Sequence, residues 1–199
     1  MPSAETDPND ARQLGVLDAA VSVFARYGFR KTSMDEVARA AGVSRQGLYL
    51  QFANKEELFR RALEHSFDRQ LRAAAAALKD ADTPLEARLV AACDAWAGRF
   101  IGSLGSDAAD LMCASTTLAG DALARYAAQF ESLLAGAIAA SPLLQAYSAA
   151  GLSAAAIARV LHATARGFKH GSSSREEFLH AMTGAARMMC APLHSQEVI

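Results

Sequence analysis

Two adjacent polar residues, Arg45 and Gln46, carry side chains suited to reading the edges of DNA base pairs. An arginine can form two hydrogen bonds with guanine in the major groove, and a glutamine can do the same with adenine. Both residues directly follow Ser44, whose hydroxyl can cap the start of a helix. The first turn of a helix that enters the groove brings its side chains to the base edges. We therefore predict that a helix beginning at Ser44 binds DNA through this turn.

Further candidate residues surround this turn. Gly47 would let the backbone approach DNA closely, and Tyr49 and Gln51 would lie one turn later, where they can contact phosphates or a thymine methyl group. Lys55 stands at the start of predicted helix four, where free backbone N–H groups and its own cation together favour a phosphate. Thr32 and Ser33 stand in the same way at the start of predicted helix two. A solvated helix face is the alternative explanation for any one of them. The predicted DNA-binding residues are Thr32, Ser33, Ser44, Arg45, Gln46, Gly47, Tyr49, Gln51 and Lys55.

The segment 33–52 predicts two short helices joined by a tight turn. Ser33 and Glu36 have the spacing of a capping box, which starts the first helix. Gly42 is suited to the left-handed position that ends it. Leu48 and Phe52, four residues apart, would fix the second helix to the domain and leave its other side free. This is the pattern of a helix-turn-helix, although two short helices around a glycine occur in other all-helical proteins.

The flanking segments make the assignment more specific, because over residues 12–60 the chain resembles the tetracycline-repressor (TetR) family of transcription regulators. The matching segments are 17–24, 27–29, 31–33, 37–44, 48–49 and 52–56. The resemblance implies a DNA-binding domain of three helices, a long connecting fourth helix and a helical C-terminal domain that binds a small molecule and forms the dimer. Gln51 departs from the family, which often has histidine there, and Gly15 is an unusual residue for the interior of helix one.

Composition and charge set broad limits. The chain has 199 residues, 52% of them hydrophobic, but no apolar run long enough to span a membrane. The polar N-terminus lacks the features of a signal peptide. Cys93, Cys113 and Cys190 follow no metal-ligand spacing, so buried reduced thiols in the cytoplasm are expected, with a redox or ligand-sensing thiol as the alternative. The net charge is −1, but residues 11–72 hold eleven basic against seven acidic residues. This local excess favours salt-dependent DNA binding.

The periodicity predicts an all-α fold: an N-terminal three-helix helix-turn-helix domain joined by a long helix to a C-terminal helical bundle, about nine helices in total. We expect a disordered tail at 1–9, the DNA-binding domain at 10–56 and a ligand-binding and dimerisation domain at 57–199. The first four predicted helices are 10–27, 33–40, 44–51 and 54–79. The fifth begins at a Thr83 cap with Pro84 in its first turn and ends at about 101, and the sixth and seventh are 107–117 and 120–139. The eighth runs from Ser153 to about 167–171, and the ninth begins at Ser173 or Ser174 and ends before Pro192.

A homodimer is expected through helices eight and nine, because one such domain reads too few bases for specificity and two-fold dimers bind palindromic operators. The alternative is that the apolar stripes of these helices face the domain's own core. The predicted interface residues are Ile157, Val160, Leu161, Thr164, Phe168, Phe178, Met182, Ala186 and Met189.

A small apolar or aromatic effector is the expected ligand of the C-terminal domain, since the candidate pocket residues are mostly apolar. Each of them is also a normal core residue, and His162 could be a core histidine whose hydrogen bonds are satisfied. The predicted ligand-binding residues are Phe67, Cys93, Trp96, Phe100, Met112, Tyr126, Phe130 and His162.

The leading hypothesis is therefore a dimeric repressor of transcription that a ligand releases from its operator. A regulator without a small effector, controlled by a partner protein or acting as an activator, is the second hypothesis. An enzyme is a third, against which stands the absence of any phosphate-binding glycine loop, metal-ligand cluster or nucleophile motif. No cofactor and no metal are expected.

Overall fold

The computed structural model describes residues 8–101 and 108–194, and all regular elements of these residues are helical, so the predicted all-α class is confirmed. The described helices are α1 Pro8–Lys31, α2 Met34–Ala40, α3 Arg45–Gln51, α4 Lys55–Lys79, α5 Leu85–Ala97, α6 Ala108–Ala139, α7 Pro142–Ala146, α8 Ala154–Gly171 and α9 Arg175–His194. Short 3₁₀ turns occupy Gly98–Phe100 and Ser148–Ala150. The predicted tail at 1–9 lies outside the described residues except for Pro8 and Asn9, which already belong to α1.

The chain divides into two compact units, Met1–Asp68 with Ser103–Leu123, and Arg69–Gly102 with Ala124–Ile199. The first unit extends beyond the predicted DNA-binding range of 10–56. Phe59 on α4 and Ala114 on α6 are buried in the same core as α1 to α3. The first turns of α4 and the beginning of α6 therefore complete the hydrophobic core of the helix-turn-helix unit.

Three phenylalanines form the centre of the first unit. The Phe59 ring lies 4.9 Å from that of Phe24 in an edge-on arrangement and 5.0 Å from that of Phe29. Phe24 and Phe59 are almost completely buried, and each such side chain stabilises the fold by about 2 kcal/mol through burial alone. This core connects α1 with α4, and Leu48 and Phe52 attach α3 to it.

Most helices begin where the capping residues predict, but several helix ends and one cap differ from the prediction. Gly28 lies inside α1 with φ 78°, so regular helix geometry stops at Tyr27 as predicted. Pro84, and not Thr83, is the N-cap of α5, because the Thr83 hydroxyl instead donates to the Asp80 carboxylate at 2.6 Å. Helix α9 continues through Pro192, which the prediction had placed beyond its end.

The predicted sixth and seventh helices are one helix, α6, with a kink at Ala119, where φ is −141°. No helix was predicted between residue 139 and Ser153, but Pro142–Ala146 form the short helix α7. The Ser141 hydroxyl accepts the N–H of Leu143 at 3.3 Å, and Pro142 opens the helix. The described helices therefore still number nine, although they are divided differently.

The second unit is a helical bundle in which α5 packs on α8 and α9, and α9 also packs on α7. The largest completely buried side chains of this bundle are Leu89, Phe130, Leu134, Ile138, Leu143, Leu161 and Phe178. Among the described residues, no helix has the length and apolar character needed to cross a membrane.

Candidate nucleic-acid interface

Local hydrogen bonds build the α2–turn–α3 segment. The Ser33 hydroxyl accepts the N–H of Glu36 at 3.2 Å, and the Glu36 carboxylate accepts the N–H of Ser33 at 2.7 Å, which confirms the capping box. Because these bonds favour the ionised carboxylate, they lower the pKa of Glu36. Gly42 adopts φ 66° and ends α2. The Ser44 hydroxyl then accepts the N–H of Gly47 at 3.0 Å and starts α3.

Helix α3 has one buried side and one exposed side. Leu48 is completely buried, whereas Arg45, Gln46 and Tyr49 are exposed, as a helix that reads DNA requires. Leu50 is also on the exposed side, with 81% of its surface accessible. Leu50 was not among the predicted contacts. The sequence could have indicated it, because Leu50 is apolar but does not lie on the same helix face as the buried Leu48. An exposed leucine here can contact a thymine methyl group.

Gly47 leaves room for the hydroxyl of Ser44 that caps the start of α3. A Cβ at residue 47 would lie 3.1 Å from the Ser44 hydroxyl, closer than an ordinary van der Waals contact. Any side chain at this position would therefore crowd the cap that starts α3.

The guanidinium of Arg45 is held on two sides. Its Nη1 donates to the Asp35 carboxylate on α2 at 3.0 Å, and its central carbon lies 5.6 Å from the centre of the Tyr49 ring. The Arg45 and Asp35 side chains remain 66% and 48% exposed. Asp35 was not predicted as a site residue, because nothing in its spacing shows which arginine it faces.

Two predicted DNA-binding side chains are turned toward the protein. Thr32 is buried, and its hydroxyl donates to the Gly28 carbonyl at 2.7 Å. The Gln51 amide donates weakly to the Gly47 carbonyl at 3.4 Å and is half-buried. The predicted phosphate contact at Thr32 involves its backbone N–H, which this side-chain bond does not engage. The Gln51 amide has a second hydrogen, so its phosphate contact stays a prediction.

Lys55 is likewise engaged within the first unit. Its Nζ donates to the carbonyls of Phe29 and Thr32 at 3.0 Å each, and to that of Arg30 at 3.4 Å. An ammonium group has three hydrogens, so these three carbonyls occupy all of them. The expected phosphate contact through Nζ is corrected to an internal role, and a phosphate contact by the backbone at the start of α4 stays a prediction.

A second internal contact involves α6. One oxygen of the Asp110 carboxylate accepts the backbone N–H of Arg30 at 2.8 Å, and the other forms an ion pair with the Arg30 side chain, 3.2 Å from its Nε. Asp110 lies in the first turn of α6, eighty residues from Arg30 along the chain. The sequence offered no signal for this pairing, which attaches α6 to the end of α1 within the first unit.

Four of the predicted ligand-binding residues pack together in the second unit. The Trp96 ring stacks on that of Phe130 at 4.8 Å, and its indole N–H donates to His162 Nε2 at 3.2 Å. His162 Nδ1 lies 2.8 Å from a carboxylate oxygen of Glu131. Since an indole can only donate, Nε2 must accept and Nδ1 must carry the proton. Cys93 is completely buried in the same core, where burial beside Asp94 raises the pKa of its thiol to about 12.

The other predicted ligand-binding residues are not brought into this group. Phe67 and Met112 belong to the first unit, and Met112 is exposed. Tyr126 is half-buried on α6 in the second unit. The side chain of Phe100 lies outside the described residues.

A cleft of about 380 Å³ lies elsewhere in the second unit, between the start of α5 and the end of α9. It is lined by Pro84, Leu85, Glu86, Ala87, Cys190 and Leu193. None of the predicted ligand-binding residues lines it. Beside this cleft, burial and the nearby Glu86 carboxylate raise the pKa of the Cys190 thiol.

The predicted dimer residues divide into buried and accessible groups. The core of the second unit buries Ile157, Leu161, Phe178, Met182 and Ala186. The prediction that these five residues contact a second subunit is therefore wrong. They are core residues, because side chains with almost no accessible surface cannot contact another subunit. Val160 is 59% exposed, and Thr164, Phe168 and Met189 are half-buried. Met188 on α9 is 75% exposed and was missed, because it lies beside the stripe that the periodicity selects.

Within residues 8–101 and 108–194, no three histidine, cysteine, aspartate or glutamate side chains are grouped in a way that could hold a metal ion.

Residues 16–62 match the sequence profile of a family described as bacterial regulatory proteins, tetR family. An HTH-type transcriptional regulator of Bacillus subtilis, YfiR, is 44% identical over 71 residues, which are 36% of this chain and 35% of the relative. The HTH-type negative transcriptional regulator IcaR of a biofilm operon in Staphylococcus epidermidis is 28% identical over 53 residues, 27% of this chain and 29% of the relative. These matches span about a third of the length of the curated relatives.

The likeness in fold extends over more of the chain. The crystal structure of a transcriptional regulator from a Rhodococcus species superposes with a TM-score of 0.68 over 94% of this chain and 97% of that protein, with 20% sequence identity. The resemblance to the TetR family is thus confirmed by sequence over residues 16–62. The likeness to the Rhodococcus protein shows a shared fold over 94% of this chain.

Proposed function

We propose, from the membership of residues 16–62 in the tetR family of bacterial regulatory proteins, that this chain is a DNA-binding regulator of transcription. The exposed side of α3 carries the proposal, because Arg45, Gln46 and Tyr49 project from a helix whose other side is anchored by Leu48. Further DNA contacts are proposed at Ser33, Ser44, Gly47, Gln51 and the backbone of Thr32 and Lys55, and they would position the protein on phosphates. Leu50 joins this group.

Selection of bound duplexes from a random library tests the proposal directly. We expect palindromic sequences with half-sites about one DNA turn apart, or a multiple of it, because two recognition helices of a two-fold dimer are spaced that way. Arg45→Ala should weaken binding by about 1–3 kcal/mol at one base pair in each half-site and leave the other positions unchanged. If the library yields no preferred sequence at low salt, the proposal is wrong.

A homodimer through the accessible faces of α8 and α9 completes the proposal. Val160 on α8 and Met188 on α9 expose large apolar side chains, and Gly167 and Gly184, also accessible, would permit close approach of a second copy. Val160→Glu and Met188→Glu should each shift the chain to a monomer in sedimentation experiments. Leu152→Glu is the matched control, since Leu152 is an exposed leucine outside both helices. A monomeric unmodified chain at micromolar concentration would contradict the dimer.

For regulation, we propose that a small apolar or aromatic molecule binds the second unit and weakens DNA binding. A ligand can shift the equilibrium between binding and non-binding states only by its different affinity for them. The polar group of Trp96, His162 and Glu131 beside the Phe130 ring could orient such a ligand within an otherwise apolar core. Trp96 fluorescence during titration with apolar and aromatic compounds provides the measurement. If no compound changes both fluorescence and DNA affinity, a regulator without a small effector is the better explanation.

The direction of regulation is proposed as repression, which is the activity in the name of the relative IcaR. A reporter gene placed behind the selected operator distinguishes the two directions, because repression lowers its expression and activation raises it. The family indicates a regulator and not an enzyme, and we propose that the protein acts in the cytoplasm.

A further inference from the structure

We propose that Asp35 is a specificity-determining residue, which acts by positioning Arg45 for a base pair. This inference rests on the proposed function. Asp35 lies on α2 and Arg45 opens α3, so their 3.0 Å hydrogen bond crosses between the two helices of the helix-turn-helix. The carboxylate belongs to a helix that is not itself expected to enter the groove. Its effect on recognition is therefore exerted through the arginine.

The bond leaves Arg45 able to read DNA. A guanidinium has five N–H donors, and Asp35 takes a single hydrogen on Nη1. Two hydrogen bonds to guanine O6 and N7 require two further donors, which remain available on the same group. The Tyr49 ring, 5.6 Å from the guanidinium carbon, restricts the arginine from a second side. An arginine that is ordered before binding loses less conformational freedom when it binds.

Stability does not explain this pair. Both side chains are substantially exposed, at 66% and 48%, and exposed ion pairs contribute little to folding. A carboxylate near DNA is also repelled by phosphates, so its presence lowers affinity for every duplex. Without it, Arg45 is free to reach the phosphate backbone, which carries no sequence information. Asp35 is thus expected to decrease non-specific binding while it maintains discrimination at one base pair.

The experiment compares the base preferences of the full chain and of Asp35→Asn. Binding is measured on the selected operator and on the set of its single-base-pair variants, by fluorescence anisotropy at fixed salt. In Asp35→Asn we expect discrimination at the Arg45 base pair to fall by roughly tenfold, and affinity for random duplex to rise. Asp10→Asn is the matched control, because it also removes an acidic residue from the first turn of a helix and should leave the base preferences unchanged.

A double-mutant cycle distinguishes positioning from a direct or structural effect. If Asp35 acts through Arg45, Asp35→Asn should have no further influence on base preference in the Arg45→Ala background. Asp35→Glu, which keeps the carboxylate one methylene further out, should restore part of the discrimination that Asp35→Asn loses. Thermal unfolding of each variant verifies that the domain remains folded, and Asp35→Ala repeats the test if Asp35→Asn does not fold.

Two results would overturn the inference. One is an unchanged preference at every base pair in a folded Asp35→Asn protein that still binds the operator. The other is an effect of Asp35→Asn that persists at full size when Arg45 is absent. If the unmodified chain selects no sequence at all, the proposed function itself fails, and that outcome is seen before any variant is made.

Discussion

Lys55 lies with its Nζ 3.0 Å from the carbonyl oxygen of Phe29 and 4.5 Å from the centre of the same residue's ring. One ammonium group therefore satisfies the backbone that follows Gly28 and also contacts an aromatic ring of the core. This connection joins the start of α4 to the end of α1, within the unit that carries α3. A lysine that sequence considerations assign to DNA is thus part of the framework.

We predict that Lys55→Met destabilises the protein by about 2 kcal/mol, because hydrogen bonds to a charged donor contribute about 1.5–3 kcal/mol. Methionine retains the apolar part of the lysine side chain, so the decrease in the free energy of unfolding measures the contribution of the ammonium group. Urea unfolding monitored by circular dichroism measures it. Lys79→Met, at the exposed end of α4, is the control and should change stability by less than about 0.5 kcal/mol. Equal effects of the two substitutions would argue against the internal role.

The carboxylate of Asp110 should protect the backbone amide of Arg30 from hydrogen exchange. In Asp110→Asn the amide keeps a weaker acceptor, and in Asp110→Ala it loses the acceptor, so exchange at Arg30 should accelerate in that order. The loss in stability is expected to be about 1–2 kcal/mol for the alanine variant. Asp121→Ala, an exposed position on the same helix, provides the comparison. Unchanged exchange at Arg30 would exclude the bond in solution.

The capping carboxylate of Glu36 predicts a specific dependence of stability on pH. Hydrogen bonds from Ser33 lower its pKa below the ordinary value of 4.5, so its contribution is complete above about pH 4.5. The contribution disappears as the pH falls through the lower pKa of the folded state. Glu36→Gln should therefore be less stable than the unmodified chain at pH 7, and the difference should narrow toward pH 3. A difference that stays constant over this range would contradict the prediction.

The three cysteines should differ strongly in reactivity. Cys93 is buried with a pKa of about 12, and Cys190 is buried with a raised pKa, whereas Cys113 is exposed. Because the thiolate is the reactive form, a thiol reagent at pH 8 should label one cysteine per folded chain rapidly. Cys113→Ser should abolish this rapid phase, and unfolding in urea should expose the other two. Rapid labelling that survives Cys113→Ser would disprove the assignment.

The contact between Trp96 and His162 predicts the tautomer of a buried histidine. In the unmodified chain the imidazole should carry its proton on Nδ1, which nitrogen chemical shifts can identify. Trp96→Phe retains the stacking on Phe130 but removes the donor to Nε2, at a cost of about 1–3 kcal/mol for an unsatisfied buried group. Ser132→Ala, which removes an exposed hydroxyl on α6, should cost much less. An Nε2-protonated tautomer in the unmodified chain would contradict the network.

Features that depend on local hydrogen bonds could be predicted from the sequence. The capping box of Ser33 and Glu36, the left-handed Gly42 and the Ser44 cap each involve atoms within four residues, so spacing and residue type are sufficient. Local patterns also predicted that Arg45 and Gln46 are exposed. The prediction that Thr83 caps α5 was wrong, because its hydroxyl binds Asp80. The prediction that the last helix ends before Pro192 was also wrong.

Contacts between distant segments were decided by the tertiary structure. Periodicity marked an apolar stripe on each of α8 and α9 but could not say whether Ile157 and Phe178 face the core or a second subunit, because either neighbour requires the same apolar pattern. Nothing in the spacing pairs Arg30 with Asp110 or Arg45 with Asp35. Lys55 carries the same charge whether it faces a phosphate or three carbonyls. The sequence determines the charge and polarity of each side chain, but the partner of each side chain depends on which helices the fold brings together.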